Sequence, residues 1–251
     1  MSSVAHERAA AALLDARRTR RWIDALPPGT HPAKELDAYA IQELVAAELG
    51  PVSGWKVGSA TLDSEPFRAP LHAASLFENR NVPAQMFHVI GVEAEIVYRL
   101  GRDLTPRENA YTREEVLDAV VSMHPAIEIV DTRFVSLSST DALGQRADQQ
   151  NHGALVIGPP LEEWPDIDPQ QQLVRLTING SLARENTGGN SAVDPVRLLQ
   201  WLASRGSNRL GGLKAGQAIT TGSCTGTIFV EPGTKVRAEF PGLGAVDLVI
   251  A

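Results

Sequence analysis

Apolar residues in the first fifty positions recur at helical spacing among charged ones: Ala9 to Ala12, Leu13 and Leu14, then Ile41, Leu44 and Val45. The spacing predicts two helices, with Pro27-Pro28-Gly29 between them and Gly50-Pro51 ending the second. Beyond residue 50 the texture changes to short apolar runs, rich in Val and Ile and bounded by Gly, Pro, Asn and Asp, as strands are. They are Val92 to Leu100, Ala126 to Val130, Ala154 to Ile157, Leu173 to Ile178, Ala218 to Thr221, Thr227 to Val230, Lys235 to Phe240 and Val246 to Ile250. Asn179-Gly180, set between two alternating segments, predicts a two-residue hairpin turn. Two helices interrupt the strands. Thr112-Arg113-Glu114-Glu115 has the capping-box pattern and leads into Val116, Leu117, Val120 and Val121, which would share one helical face. Asp194-Pro195 offers an N-cap and a first-turn proline ahead of Val196, Leu198, Leu199, Trp201 and Leu202. This order does not alternate as βαβ units do, so the expected class is α+β with a largely antiparallel or mixed sheet.

Composition narrows the partners. Lys and Arg number 23 against 30 Asp and Glu, a formal charge of −7, which offers no electrostatic footprint for nucleic acid or anionic lipid. The single cysteine, Cys224, cannot form an internal disulfide and excludes a cysteine-rich zinc site, so a reducing, cytoplasmic setting is expected. No apolar run is long enough for a membrane span, and no apolar leader follows Met1, so neither a span nor a signal peptide is expected.

The charge pattern also points to chemistry. In Gly91-Val92-Glu93-Ala94-Glu95-Ile96-Val97-Tyr98, period-two alternation puts Glu93 and Glu95 on one strand face, about 7 Å apart. Glu128 follows in Ala126-Ile127-Glu128-Ile129-Val130, framed by apolar residues, where an ionised carboxylate costs several kcal/mol unless a cation compensates it. An oxygen-only set of this kind suits Mg²⁺ or Mn²⁺. The alternative is a solvated strand face carrying Glu93, Glu95 and Arg99, and spacing alone leaves both readings open. Asp131 either joins such a site or closes the strand.

An ordered set of segments carries a resemblance: Asp37-Ala38-Tyr39-Ala40-Ile41-Gln42, Gly54-Trp55-Lys56-Val57-Gly58, Gly91-Val92-Glu93-Ala94-Glu95, His124-Pro125-Ala126-Ile127-Glu128-Ile129-Val130-Asp131, Ala147-Asp148 and Thr221-Gly222-Ser223-Cys224-Thr225-Gly226. Together they resemble the hydratase/decarboxylase branch of the fumarylacetoacetate hydrolase superfamily over nearly the whole chain. The resemblance implies a helical N-terminal segment, residues 1–50, followed by a mixed β-roll catalytic domain over residues 51–251. It also implies a homo-oligomer and a divalent metal, usually Mg²⁺, held by Glu93, Glu95 and Glu128. Lys56 matches the lysine that faces the substrate, and Thr221 and Ser223 match pocket residues.

Two departures stand out. The family's acidic pair near the substrate is missing from the compact stretch Ser59 to Pro70 and from Leu76-Phe77-Glu78-Asn79-Arg80. Where the family shows Ala-Asp-Asn-x-Ser-Ser, this chain reads Ala147-Asp148-Gln149-Gln150-Asn151-His152, so Asn151 and His152 replace both serines. His152 can transfer protons near neutral pH and Asn151 can hold a substrate oxygen, although both residues also suit loop hydrogen bonding. His124 reads as structural, and Cys224 as an inert thiol without an apposed base.

The expected activity is a metal-dependent lyase that adds water to a small 2-hydroxydienoic or 2-oxo-enoic acid through an enolate. The nearest alternatives are decarboxylation of a vinylogous 2-oxo acid and C–C hydrolysis of an acylpyruvate. A non-catalytic small-acid binding protein on the same fold is the alternative of another class.

Overall fold

A computed structural model describes residues 1–78, 81–164 and 167–251, so Asn79 and Arg80 of the shortened stretch lie outside the described residues. Two helices come first, α1 (Ser3–Thr19) and α2 (Glu35–Leu49). Ser2 caps α1 by accepting from the Ala5 N–H at 3.3 Å, and Gly50 at φ 94° ends α2. Their buried residues Ala9, Leu13, Ile41 and Val45 form one apolar cluster with Phe134 and Ala147. Arg68, itself buried, ties α2 to the body by donating to Gln42 Oε1 at 2.6 Å and Glu43 Oε1 at 2.7 Å.

The body contains β1 (Val52–Gly58), β2 (Phe67–His72), β3 (Leu76–Phe77), β4 (Asn81–Val82), β5 (Gly91–Leu100), β6 (Val120–Val130) and β7 (His152–Ile157). It continues with β8 (Leu173–Ile178), β9 (Ser181–Thr187), β10 (Ala218–Ser223), β11 (Ile228–Phe229), β12 (Lys235–Phe240) and β13 (Gly244–Ile250). Three short helices interrupt them: α3 (Arg113–Leu117), α4 (Ala142–Ala147) and α5 (Pro195–Trp201). The larger sheet runs β2-β1-β10-β5-β6-β7-β3, with β11 on β5, and the smaller runs β4-β13-β12-β8-β9. β1 pairs with β10, β3 with β7 and β4 with β13 in parallel, so both sheets are mixed as the α+β expectation holds. The main core lies between the sheets, where Trp55, Ile96, Tyr98 and Ile127 meet Val174, Leu176, Val236 and Phe240.

Local signals hold where side chain and backbone agree. Asn179 and Gly180 take φ 52° and 84°, as a tight hairpin turn between β8 and β9 requires. The Thr112–Glu115 capping box and the Asp194 cap of α5 both form. One expectation is corrected: α3 stops at Leu117, and Val120 and Val121 begin β6 instead of extending the helical face. Val120 is buried and Val121 is half exposed, the alternation of a strand, and pairing with β5 overrides the helical spacing.

Candidate active site

The site sits on one face of the larger sheet, opposite its main core. Glu93 and Glu128 are cross-strand partners in the β5–β6 register, and Glu95 lies two positions along β5 on the same face. Ligand atoms from Glu93, Glu95 and Glu128 all lie within 4.8 Å of one another, a group that could hold a metal ion. Glu95 and Glu128 are fully buried. β1 reaches this face through its parallel pairing with β10, which sets Lys56 beside Thr220. Gly54 makes that pairing close: a Cβ there would lie 2.5 Å from the Ala218 carbonyl oxygen.

Hydrogen bonds orient each carboxylate. Lys56 Nζ donates to Glu128 Oε1 at 2.6 Å and to the Gln150 carbonyl at 3.0 Å. His152 Nδ1 lies 3.0 Å from the same Oε1 and, facing a carboxylate, is the donor. Its Nε2 then faces the Ser75 hydroxyl at 2.9 Å, and that hydroxyl also lies 3.0 Å from the His72 carbonyl. Thr220 Oγ1 and the Gly222 N–H donate to Glu95 Oε2, and Thr227 Oγ1 donates to Glu93 Oε1. Two buried oxygens, Glu95 Oε1 and Glu128 Oε2, have no hydrogen-bond partner among the described residues. Buried lone pairs left in this way cost free energy, and a hard cation takes oxygen ligands of this type, so the donor set fits Mg²⁺ or a similar ion.

The electrostatics are consistent with a cation-seeking cluster. Burial, and then the charge of Glu128, push the Glu93 carboxyl up, and the same causes together with Glu93 push Glu95 well above the ordinary range. Burial would raise Glu128 as well, but Lys56 and His152 outweigh it and hold that group at about 2. Lys56 loses to burial and regains more from Glu128, Glu93 and Glu95, so it stays cationic above its usual range. Burial depresses His152 against the pull of Glu128.

The loop before β7 carries strain. Gln149, Gln150 and Asn151 hold φ of 50°, 54° and 56°, a left-handed run that costs roughly 1–2 kcal/mol per residue. The Asn151 carbonyl accepts from the Asp131 N–H at 2.8 Å, while Asn151 Oδ1 is buried without a partner among the described residues. Asp131 accepts from the His88 and Val89 N–H groups and so anchors a loop, apart from the three glutamates. Thr221 is buried, and its carbonyl accepts from Asn190 Nδ2 at 2.7 Å. Alternation along β10 puts the hydroxyl of Thr220, not that of Thr221, on Glu95. Ser223 lies opposite Glu95 in the register and accepts from the Thr225 N–H at 3.2 Å. His124 bonds Ser122 and the Gly158 carbonyl as a structural residue does, and burial pushes the Cys224 thiol up to about 12.

Thr220, Thr227 and Ser75 are the contacts that the sequence alone did not reveal. Thr220 was legible in principle, because a hydroxyl at Thr220 shares the strand face of Lys56 once parallel pairing is known. Ser75 had no signal, since it lies in a short turn 77 positions from His152.

The pattern that defines the fumarylacetoacetate (FAA) hydrolase C-terminal region matches residues 45–251. The chain belongs to the fumarylacetoacetate hydrolase family. Within it, the chain is 30% identical to 2-keto-4-pentenoate hydratase of Paraburkholderia xenovorans (strain LB400) over 261 residues, covering 98% of this chain and 95% of that one. It is also 30% identical to 4-oxalocrotonate decarboxylase of a Pseudomonas species over 160 residues, 62% of this chain and 59% of the relative. The fold matches 4-oxalocrotonate decarboxylase from Pseudomonas putida G7, a structure complexed with magnesium and adipate, at a TM-score of 0.85 and 20% identity, covering 100% and 99% of the two chains. The family expectation drawn from the ordered segments therefore holds, together with its fold of helices and mixed sheets. No helix among the described residues is long and apolar enough to cross a membrane.

Proposed function

We propose that this chain is a divalent-metal-dependent lyase of the 2-keto-4-pentenoate hydratase type, adding water to a small 2-hydroxydienoic or 2-oxo-enoic acid. The observation that carries this reading is the convergence of Glu93, Glu95 and Glu128 with two buried, unpartnered carboxylate oxygens. The relatives named as hydratases support the reaction class. Glu93, Glu95 and Glu128 would hold the ion, Mg²⁺ or Mn²⁺. When bound, the ion supplies Lewis-acid polarisation of the carboxylate and 2-oxo group of the substrate.

The chain's own residues do the rest. Lys56 is cationic and faces the cluster, so it stabilises negative charge growing on the substrate oxygens. His152, held by Glu128 and Ser75, is the residue placed to carry a proton. Asn151 Oδ1, buried without a partner, is an acceptor for water or a substrate hydroxyl. Ser223, opposite Glu95 in the register, would border the carboxylates from β10 as a substrate contact, whereas the buried Thr221 side chain lies on the other face of that strand, away from them. Decarboxylation of a vinylogous 2-oxo acid uses the same enolate and is the second reading, favoured by the match to 4-oxalocrotonate decarboxylase. The buried lone cysteine and the family resemblance support a cytoplasmic homo-oligomer in which residues 1–50 form a helical appendage to the catalytic body.

The test is turnover of 2-hydroxypenta-2,4-dienoate, 4-oxalocrotonate and acylpyruvates by purified protein, with Mg²⁺ and with a chelator. Mg²⁺-dependent hydration that the chelator abolishes and Glu93→Ala removes is the expected result. Turnover indifferent to the chelator would falsify the metal-dependent reading.

A further inference from the structure

Behind His152, on the side away from Glu128, lies a pocket of about 220 Å³ whose lining includes Arg17, Arg20, His72, Ser75, Arg133 and His152. Its charges are unevenly matched. Arg133 is satisfied, donating to Asp148 Oδ1 at 2.8 Å and facing Asp131 Oδ2 at 3.5 Å. The Asp131 carboxylate, which also lines the pocket, is engaged by Arg133 and by the backbone N–H groups of His88 and Val89. Arg17 has no such partner: its guanidinium donates to the neutral Gln149 Oε1 at 2.9 Å, and among the described residues no carboxylate lies within ion-pair distance. A partly covered cation next to a second cation is costly unless an anion answers it. Burial, and then the neighbouring charge of Arg133, depress Arg17 to about 10 against the weaker pull of Asp148 and Asp131. His72 Nε2 is buried on the same pocket without a partner among the described residues, and an adjacent anion would favour its protonated, donating form.

We propose that this pocket binds a carboxylate through Arg17, with Arg20 at its rim. A planar carboxylate matches the guanidinium fork, and the small volume suits a short-chain acid. Two sources share this chemistry: the far carboxylate of a dicarboxylic substrate reaching past His152, or a separate small acid. Only the first rests on the function proposed above.

Calorimetric titration of glutarate into the full-length, chelator-treated protein tests the site without any dependence on metal or turnover. Saturable binding that Arg17→Gln weakens at least about tenfold and Arg17→Lys largely restores is the expected result. Absence of saturable binding, or equal affinity in Arg17→Gln protein with an unchanged melting temperature, overturns the proposal. If Arg17→Gln unfolds, Arg20→Gln must instead weaken glutarate several-fold, and an unchanged affinity overturns it. Kinetics with Mg²⁺ then assign the source. A raised KM for 4-oxalocrotonate with that for 2-hydroxypenta-2,4-dienoate unchanged identifies the substrate's far end. Unchanged KM for both, with glutarate binding lost, identifies a separate ligand. Turnover of neither acid sinks the functional reading while leaving the glutarate result standing.

Discussion

Glu95 shows how a neighbour sets what a carboxylate can do. Its Oε2 is held by the Thr220 hydroxyl and the Gly222 N–H, which leaves Oε1 buried and free to meet a cation. Thr220→Val removes one of these holds without touching a carboxylate, and calorimetry should show Mg²⁺ affinity falling about 10–100-fold, the usual cost of losing an outer-shell partner. His152→Ala should lower kcat by roughly 10²-fold or more, as loss of a general acid or base does. Full activity in that variant would remove His152 from the mechanism. Glu93 and Glu95 were legible from the strand period and Glu128 from its apolar frame, while Lys56 was legible only through the family resemblance. The hydroxyls that orient them were not, because the pairing of β1 with β10 joins positions more than 160 residues apart.

At the scale of elements, β1 owes its place to a residue without a side chain. Gly54→Ala would drive a methyl group against the Ala218 carbonyl, so a loss of about 1–3 kcal/mol is expected in denaturant unfolding, together with weaker activity as Lys56 moves. The strands that alternate cleanly, β5, β8, β12 and β13, were readable from the sequence. β1 and β2 were harder to see, since Gly54, Lys56, Arg68 and His72 break the apolar pattern for the sake of packing and chemistry. Spacing also misassigned Val120 and Val121, which satisfy a helix and a strand equally until β5 is present to pair with them. In α3, hydrogen bonds from Arg107 and from the Thr112 backbone lower Glu115 to about 2. A lowered folded-state value means that its stabilisation is present above the unfolded value, about 4.3, and is lost as pH falls toward 2. Glu115 should therefore titrate near 2 by NMR, and Glu115→Gln should flatten stability against pH across that window.

For the molecule as a whole, a metal that binds only the folded chain adds to its stability. At about 100 times its dissociation constant Mg²⁺ would contribute about 2.7 kcal/mol. For a chain of this size that is a rise in melting temperature of roughly 5–10 °C, and a chelator should reverse it in a thermal scan. Glu93→Ala protein should melt at the same temperature with and without Mg²⁺.

The order of the larger sheet has a further consequence during synthesis on the ribosome. β5 and β6 can pair as soon as both have emerged, so the three glutamates meet early. The β1–β2 hairpin cannot take its final place until residues 218–223 are inserted between β1 and β5. A nascent chain arrested before residue 218 would thus present a cluster of acids with no lysine to balance it, and the roll can close only after residues 218–223 have emerged. Pairing across so long a separation also makes refolding slow, because the intervening loop must be closed first.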